Sequence, residues 1–111
     1  MFGKVKVEKV RSLGEKDMKK LMEYAKNQDP QVKIAVAQVL GRINNEDSYN
    51  TLIGLLADDN VDVKSAAVQS LVFVTWEPSL NDVRYEMSKA TDPSFIEVCK
   101  EAINKMMKVH R

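Results

Sequence analysis

The stretch Gln31-Val32-Lys33-Ile34-Ala35-Val36-Ala37-Gln38-Val39-Leu40 returns 31 residues later as Asp62-Val63-Lys64-Ser65-Ala66-Ala67-Val68-Gln69-Ser70-Leu71. Val, Lys, Ala, Gln and Leu coincide between the two. A further shift of 32 residues reaches Ser94-Phe95-Ile96-Glu97-Val98-Cys99-Lys100-Glu101-Ala102-Ile103, where identities are lost but apolar residues recur at the same places. Upstream of each copy a second set repeats every 31 residues: Met18, Leu21 and Ala25, then Tyr49, Leu52 and Leu56, then Leu80, Val83 and Met87. Self-similarity at one fixed period is the mark of a stacked-repeat architecture. The extra residue of the third copy falls between its two elements.

The spacing inside each copy is helical. Apolar residues fall at i, i+3, i+4, i+7, i+8 and i+11: Val32, Ala35, Val36, Val39, Leu40 and Ile43; then Val63, Ala66, Ala67, Leu71 and Val74 around Ser70; then Phe95, Val98, Cys99, Ala102, Ile103 and Met106. Small residues within these sets let a neighbouring helix approach closely. Asp29-Pro30 and Asp92-Pro93 each set a capping carboxylate before a proline, whose missing N–H is harmless in a first turn, and Asn60 holds the equivalent place in the middle copy. Ser12 with Glu15 and Ser79 with Asp82 have capping-box spacing, with Glu77-Pro78 a competing start for the latter helix. These signals predict helices near 14–26, 30–43, 46–57, 61–75, 79–90 and 93–108. One helix pair has too little apolar surface to fold alone, so stacking must build the core.

The pattern Asp29-Pro30-Gln31-Val32-Lys33, Ala35-Val36 and Leu40-Gly41-Arg42-Ile43 resembles the second helix of a HEAT repeat, especially the short variety also found in phycobilisome lyase proteins. The middle copy keeps Val63-Lys64, Ala66-Ala67 and Leu71 but has Val72 in place of Gly41; the third has Ile96 in place of the basic residue. The resemblance covers residues 14–107 and implies an all-α, right-handed α-solenoid of three helix pairs, at approximately 14–43, 46–75 and 79–107, within a single domain over 1–111. It further implies a curved stack with second helices on the concave side, where partners bind. It also implies a ladder in which an Asp before a second helix meets a basic residue just inside one, here Asp58 with Lys33 or Lys64.

Composition narrows the function. The chain has 111 residues, 44% hydrophobic and 30% charged, as expected of one folded domain. Its net charge of +1 supplies no overall field for drawing in nucleic acid or an anionic membrane. A lone Cys99 excludes an internal disulfide and a Cys-based metal cluster, which suits a reducing compartment; no apolar run is long enough for a membrane span and no secretory signal is recognisable. A cytoplasmic location is the expectation.

Catalysis finds little support. The only histidine, His110, is penultimate; Cys99 lies on the core stripe, where burial keeps it a thiol; and Gly3, Gly14, Gly41 and Gly54 form no phosphate loop. No spacing fits a metal or a cofactor, and the acids Glu46-Asp47 and Asp58-Asp59 sit at helix ends, where dipole interactions account for them.

Residues expected to face away from the core are more informative. In the third copy they are Glu97, Lys100, Glu101, Asn104 and Lys105, all polar, as a terminal repeat requires. In the middle copy they are Lys64, Ser65, Val68, Gln69, Val72 and Phe73, with Trp76 just beyond, which is too apolar for a solvated face. Neighbouring helices or a partner must cover it. On the partner reading, Val72, Phe73 and Trp76 are anchors, Ile34, Ala37 and Val68 extend the patch, and Lys33 and Lys64 are ligand contacts or ladder rungs. The expected role is non-enzymatic: a scaffold or interaction module that binds a protein segment on its concave face. Exposed repeat edges leave self-association open.

Nucleic-acid binding is the alternative from another class. Lys4, Lys6, Lys9, Arg11, Lys16, Lys19 and Lys20 make one end basic, and Lys105, Lys108 and Arg111 the other, but Glu8, Glu15, Asp17 and Glu23 interrupt the first cluster and no aromatics are interleaved as stacking platforms. The leading segment 1–13 reads two ways. The alternation Lys4-Val5-Lys6-Val7 suits a strand or an unstructured arm, whereas Val7, Val10 and Leu13 suit a short helix capping the open edge of the first repeat, which is the expectation adopted.

Overall fold

A computed structural model of the chain describes residues 6–74 and 79–109. Within them lie α1 (Val7–Arg11), α2 (Met18–Tyr24), entered through a 3-10 turn at Glu15–Asp17, α3 (Pro30–Leu40), α4 (Glu46–Leu56), α5 (Val61–Leu71), α6 (Ser79–Lys89) and α7 (Pro93–Val109). No strand occurs among the described residues, and no helix there is long and apolar enough to cross a membrane. The helices sit where the sequence spacing places them.

Local chemistry sets their ends. Asp29 Oδ1 accepts from the Gln31 N–H at 2.9 Å. Asn60 Oδ1 accepts from the Asp62 and Val63 N–H groups at 2.9 and 3.1 Å, and Asp92 Oδ1 from Ser94 and Phe95 at 2.9 and 3.2 Å. Three equivalent sites thus answer the unpaired donors of a first turn in one way. The turns before them match as well: Asn27 Oδ1 accepts from the Asp29 N–H at 2.8 Å, and Asp58 Oδ2 from the Asn60 N–H at 3.0 Å. The Ser12–Glu15 box does not form. The Ser12 hydroxyl instead donates to the Lys9 carbonyl at 2.7 Å, closing α1, and Gly14 opens the next helix by donating its N–H to Asp17 Oδ2 at 3.0 Å. Glu77-Pro78 lies outside the described residues.

The helices form two layers. α3, α5 and α7 pack side by side with α1 against the free flank of α3, and α2, α4 and α6 lie over them. The short helix expected at the chain's start is therefore present and caps the stack, with Val10 fully buried. The body measures 45 × 29 × 17 Å, its thinnest dimension matching helix layers about 10 Å apart. Contacts are extensive from α3 to α5 to α7 and sparse between α2 and α4.

The core follows the repeat. The stripe residues of α3 and α5, together with Ile43 and Val74, are buried, as are Phe95, Cys99, Ala102 and Met106 of α7; Val98 and Ile103 are half-buried. Ser70, the polar interruption, is buried and donates its hydroxyl to the Ala37 carbonyl at 2.6 Å, bridging α5 to α3. Ser48 does the same between helices, donating at 2.7 Å to the Leu40 carbonyl, which also accepts from the Ile43 N–H at the end of α3.

Two outward assignments are corrected. Ala37 and Val68 show no exposed surface at all. They occupy equivalent positions on α3 and α5, each of which packs against the following second helix. Among the described residues no second helix packs beyond α7, and their counterpart Lys100 is exposed. The contrast between an apolar middle copy and a polar third copy is, at these positions, the contrast between an inner repeat and a terminal one.

Candidate partner-binding face

Two large apolar side chains stay open on the second-helix layer: Met107 of α7, 48% exposed and in contact with Arg84 of α6, and the more exposed Phe73. Phe73 lies two residues beyond the end of α5 and is 68% exposed. Its equivalent 31 residues earlier is Arg42, and 32 residues later Lys105, both exposed. One residue row thus carries a cation, an aromatic ring and a cation across three helices. The row beside it carries Gln38, Gln69 and Glu101, also exposed.

Phe73 divides two grooves. The first, about 380 Å³, runs between α3 and α5 and is lined by Gln38, Gly41, Arg42, Ala66, Gln69 and Ser70 together with Phe73. The second, about 170 Å³, runs between α5 and α7 and adds Val72, Val98, Glu101, Ala102 and Lys105. Gly41 opens the first groove and holds its walls together. A Cβ there would lie 2.8 Å from Ser70 Oγ, 2.9 Å from its Cβ and 3.2 Å from its Cα, so only glycine lets α3 and α5 meet at this level.

The other sequence candidates divide around this centre. Val72 lines the second groove and is half-buried; Ile34 is half-buried against the core. Trp76 lies outside the described residues, as does His110. The two lysines are engaged within the chain. Lys33 Nζ lies 2.6 Å from Asp58 Oδ1, the rung expected between neighbouring repeats. Lys64 takes a different partner, Glu86 Oε1 at 3.7 Å, and its ammonium sits 4.8 Å from the centre of the Phe95 ring. The reason lies in the third copy: the place of Asp58 is taken by Lys89, which joins Glu86 Oε2 at 3.2 Å instead. Glu86 stands where the middle copy has the buried Leu55, so the acid has moved one turn back along its helix and into the core edge.

Ionisation follows these contacts. Burial alone would raise the Asp58 carboxyl, but the Lys33 hydrogen bond, the Asn60 N–H and the Lys33 charge outweigh it and hold the group below the usual carboxylate range. Asp92 is lowered by the Ser94 hydroxyl and the Phe95 N–H. The Tyr49 phenol, which donates to Asp82 Oδ2 at 2.6 Å and ties α4 to α6, is pushed up to about 12 by burial, then by that hydrogen bond and the carboxylate's charge. Burial pushes the Cys99 thiol up to about 11, against the charge of Lys64 and with that of Glu86. Among the described residues, no group of His, Cys, Asp and Glu is arranged to hold a metal ion.

The family model for HEAT repeats matches residues 1–72. This chain belongs to the HEAT-repeat family. The match spans α1 and the first two helix pairs of the HEAT stack; it is to HEAT repeats as a class and does not single out the phycobilisome-lyase type. Comparison with curated proteins and with solved structures gives no match. The third HEAT-like pair rests on its own evidence: the shared stripe, the Asp92 cap and the packing of α7 on α5.

Arg42 and Lys105 escaped the candidate set although the 31-residue register points to them once Phe73 is chosen. Glu86 escaped for a related reason. Its position reads as core from Leu55, and only the charge inversion at Lys89 explains a carboxylate there.

Proposed function

We infer that this HEAT-repeat chain is a non-catalytic interaction module whose second-helix face binds a segment of another protein, with Phe73 as the anchor. The observation that carries this is the 68% exposure of Phe73 between two grooves, in a repeat whose other large apolar side chains, among the described residues, are buried or half-buried. An exposed aromatic ring costs solubility, and a ring beside grooves is the usual energetic centre of an interface. Arg42 and Lys105 give the same row cations that form no ion pair among the described residues, suited to a carboxylate-bearing segment. Of the earlier candidates, Val72 belongs to this surface. Ile34 flanks the seam from which it rises, and Lys33 and Lys64 act through the ladder. A cytoplasmic setting fits Cys99 as a permanently reduced, buried thiol.

Affinity capture from native lysate with the wild-type chain and with Phe73→Ser tests the reading. Retention of a discrete partner by the wild type alone, with helical content equal in both, supports it; identical capture by both contradicts it. Nucleic-acid binding has weaker support, because Lys19 and Lys20 share α2 with Glu23 and no exposed aromatic stands among them. Titration with duplex and single-stranded nucleic acid at low salt checks that alternative, since a phosphate site would give salt-sensitive affinity.

A further inference from the structure

Gly41 and Gly54 differ in what they are for. Gly41 is demanded by Ser70 across the α3–α5 seam. Gly54 lies inside α4, and a Cβ built on it meets nothing within 4 Å. A glycine in a helix interior weakens that helix relative to alanine, and nothing in this chain's own packing requires it. It opens instead onto a groove of about 320 Å³ between α2 and α4, lined by Met22, Ala25, Lys26, Thr51 and Leu55. Met22 is 39% exposed at its rim, one of the larger open apolar side chains of the fold.

The walls of this groove carry opposite charge. α2 and the turn after it bear Lys19, Lys20 and Lys26 against Glu23 and Asp29, whereas α4 and its following turn bear Glu46, Asp47, Asp59 and the Lys33-paired Asp58, and no base. A face with one basic and one acidic half complements itself under two-fold rotation. We propose that the α2–α4 groove is a homodimer interface. A second copy seats its own α2–α4 seam on it about an axis running along the groove, so that the basic wall of each copy meets the acidic wall of the other. Gly54 removes the side chain that would hold the two seams apart, and Met22 supplies an adaptable apolar contact. The net charge of +1 sets no long-range repulsion against self-association. This surface lies on the opposite layer from Phe73, so a dimer displays two binding faces at once and gains avidity for a partner with repeated segments.

Sedimentation velocity on the full chain, from low micromolar to millimolar concentration, tests this. A reversible equilibrium between the 12.6 kDa monomer and its dimer is expected, weakening as salt rises. Gly54→Leu, which fills the groove without meeting any neighbour at its Cβ, should raise the dimer dissociation constant about tenfold or more. Lys26→Glu, an exposed position outside the core, should act in the same direction, and circular dichroism should show both variants folded. Phe73→Ser should leave the dimer intact. A wild-type chain that stays monomeric throughout, a dimer indifferent to Gly54→Leu, or one that Phe73→Ser dissolves would each overturn the proposal, the last by placing self-association on the second-helix face.

Discussion

The Lys33 ammonium donates to Asp58 Oδ1 at 2.6 Å, joining the second helix of one repeat to the turn that precedes the second helix of the next. Both side chains are largely covered, at 19% and 16% exposure, and the second carboxylate oxygen of Asp58 is used by the Asn60 N–H. One acid therefore fixes a turn and a repeat junction together. Its lowered pKa means that the unfolded chain takes up the proton first as pH falls. The stability it contributes is complete above about pH 4, the unfolded value, and disappears as pH drops through the lower folded value. Asp58→Asn should lower stability by about 1–2 kcal/mol at neutral pH and flatten the acid side of a melting-temperature profile taken below pH 5. An unchanged acid slope would remove Asp58 from the account.

The two glycines give opposite expectations under one substitution. Gly41→Ala should destabilise by about 1–3 kcal/mol despite alanine's better helix propensity, because Ser70 presents backbone as well as side chain at van der Waals limits. Gly54→Ala, measured in the dilute monomer, should stabilise by about 0.5–1 kcal/mol, since its Cβ enters open space. Chemical denaturation of both variants beside wild type checks the pair.

Glu86 is the residue on which the third repeat departs most from its neighbours. It is held by Lys64 and Lys89 at a position the middle repeat fills with Leu55. Lys64→Met alone should cost about 1–3 kcal/mol by leaving a mostly buried carboxylate with one exposed lysine as its partner. Adding Glu86→Leu should recover most of that loss, because an apolar pair at such a site is often as stable as the ion pair. Urea denaturation of the single and double variants reads both terms. A double variant less stable than the single one would mean that the acid has another role.

Cys99 offers a probe of opening. The thiol is fully buried on the core stripe and raised to about 11, so at pH 8 its reaction with a disulfide reagent should be slow and limited by unfolding. Urea should accelerate labelling in step with loss of helical signal. Rapid labelling of the native chain would show that α7 separates from α5 without global unfolding.

Much of this was legible in the sequence because repetition supplies several readings of one position. Val32, Val63 and Phe95 each report the same core site, and Asp29, Asn60 and Asp92 the same cap, so helix positions and the core stripe could be placed without coordinates. Faces were harder. Ala37 and Val68 lie far enough round their helices to look exposed on a lone helix, and only the adjacent repeat buries them; a helical wheel has one neighbour where a solenoid has three. The rung from Lys33 to Asp58 was readable from repeat logic, whereas the partner of Lys64 was not, because Lys89 reverses the charge its register calls for. At the candidate face the sequence separated apolar from polar but not open from covered. Of the apolar residues it proposed there, Phe73 stands out in solvent, Ile34 and Val72 are half covered, and Ala37 and Val68 are gone from the surface.

The central claim, that the second-helix face binds a protein segment through Phe73, is tested most directly by photo-crosslinking. A photoreactive phenylalanine analogue would be placed at Phe73 and, as a control, at Tyr85, an equally open aromatic at 62% exposure on α6 in the other layer. Irradiation in native extract should give a discrete crosslinked species from position 73 and none of the same mass from position 85. The same product from both positions, or from 85 alone, would contradict the account.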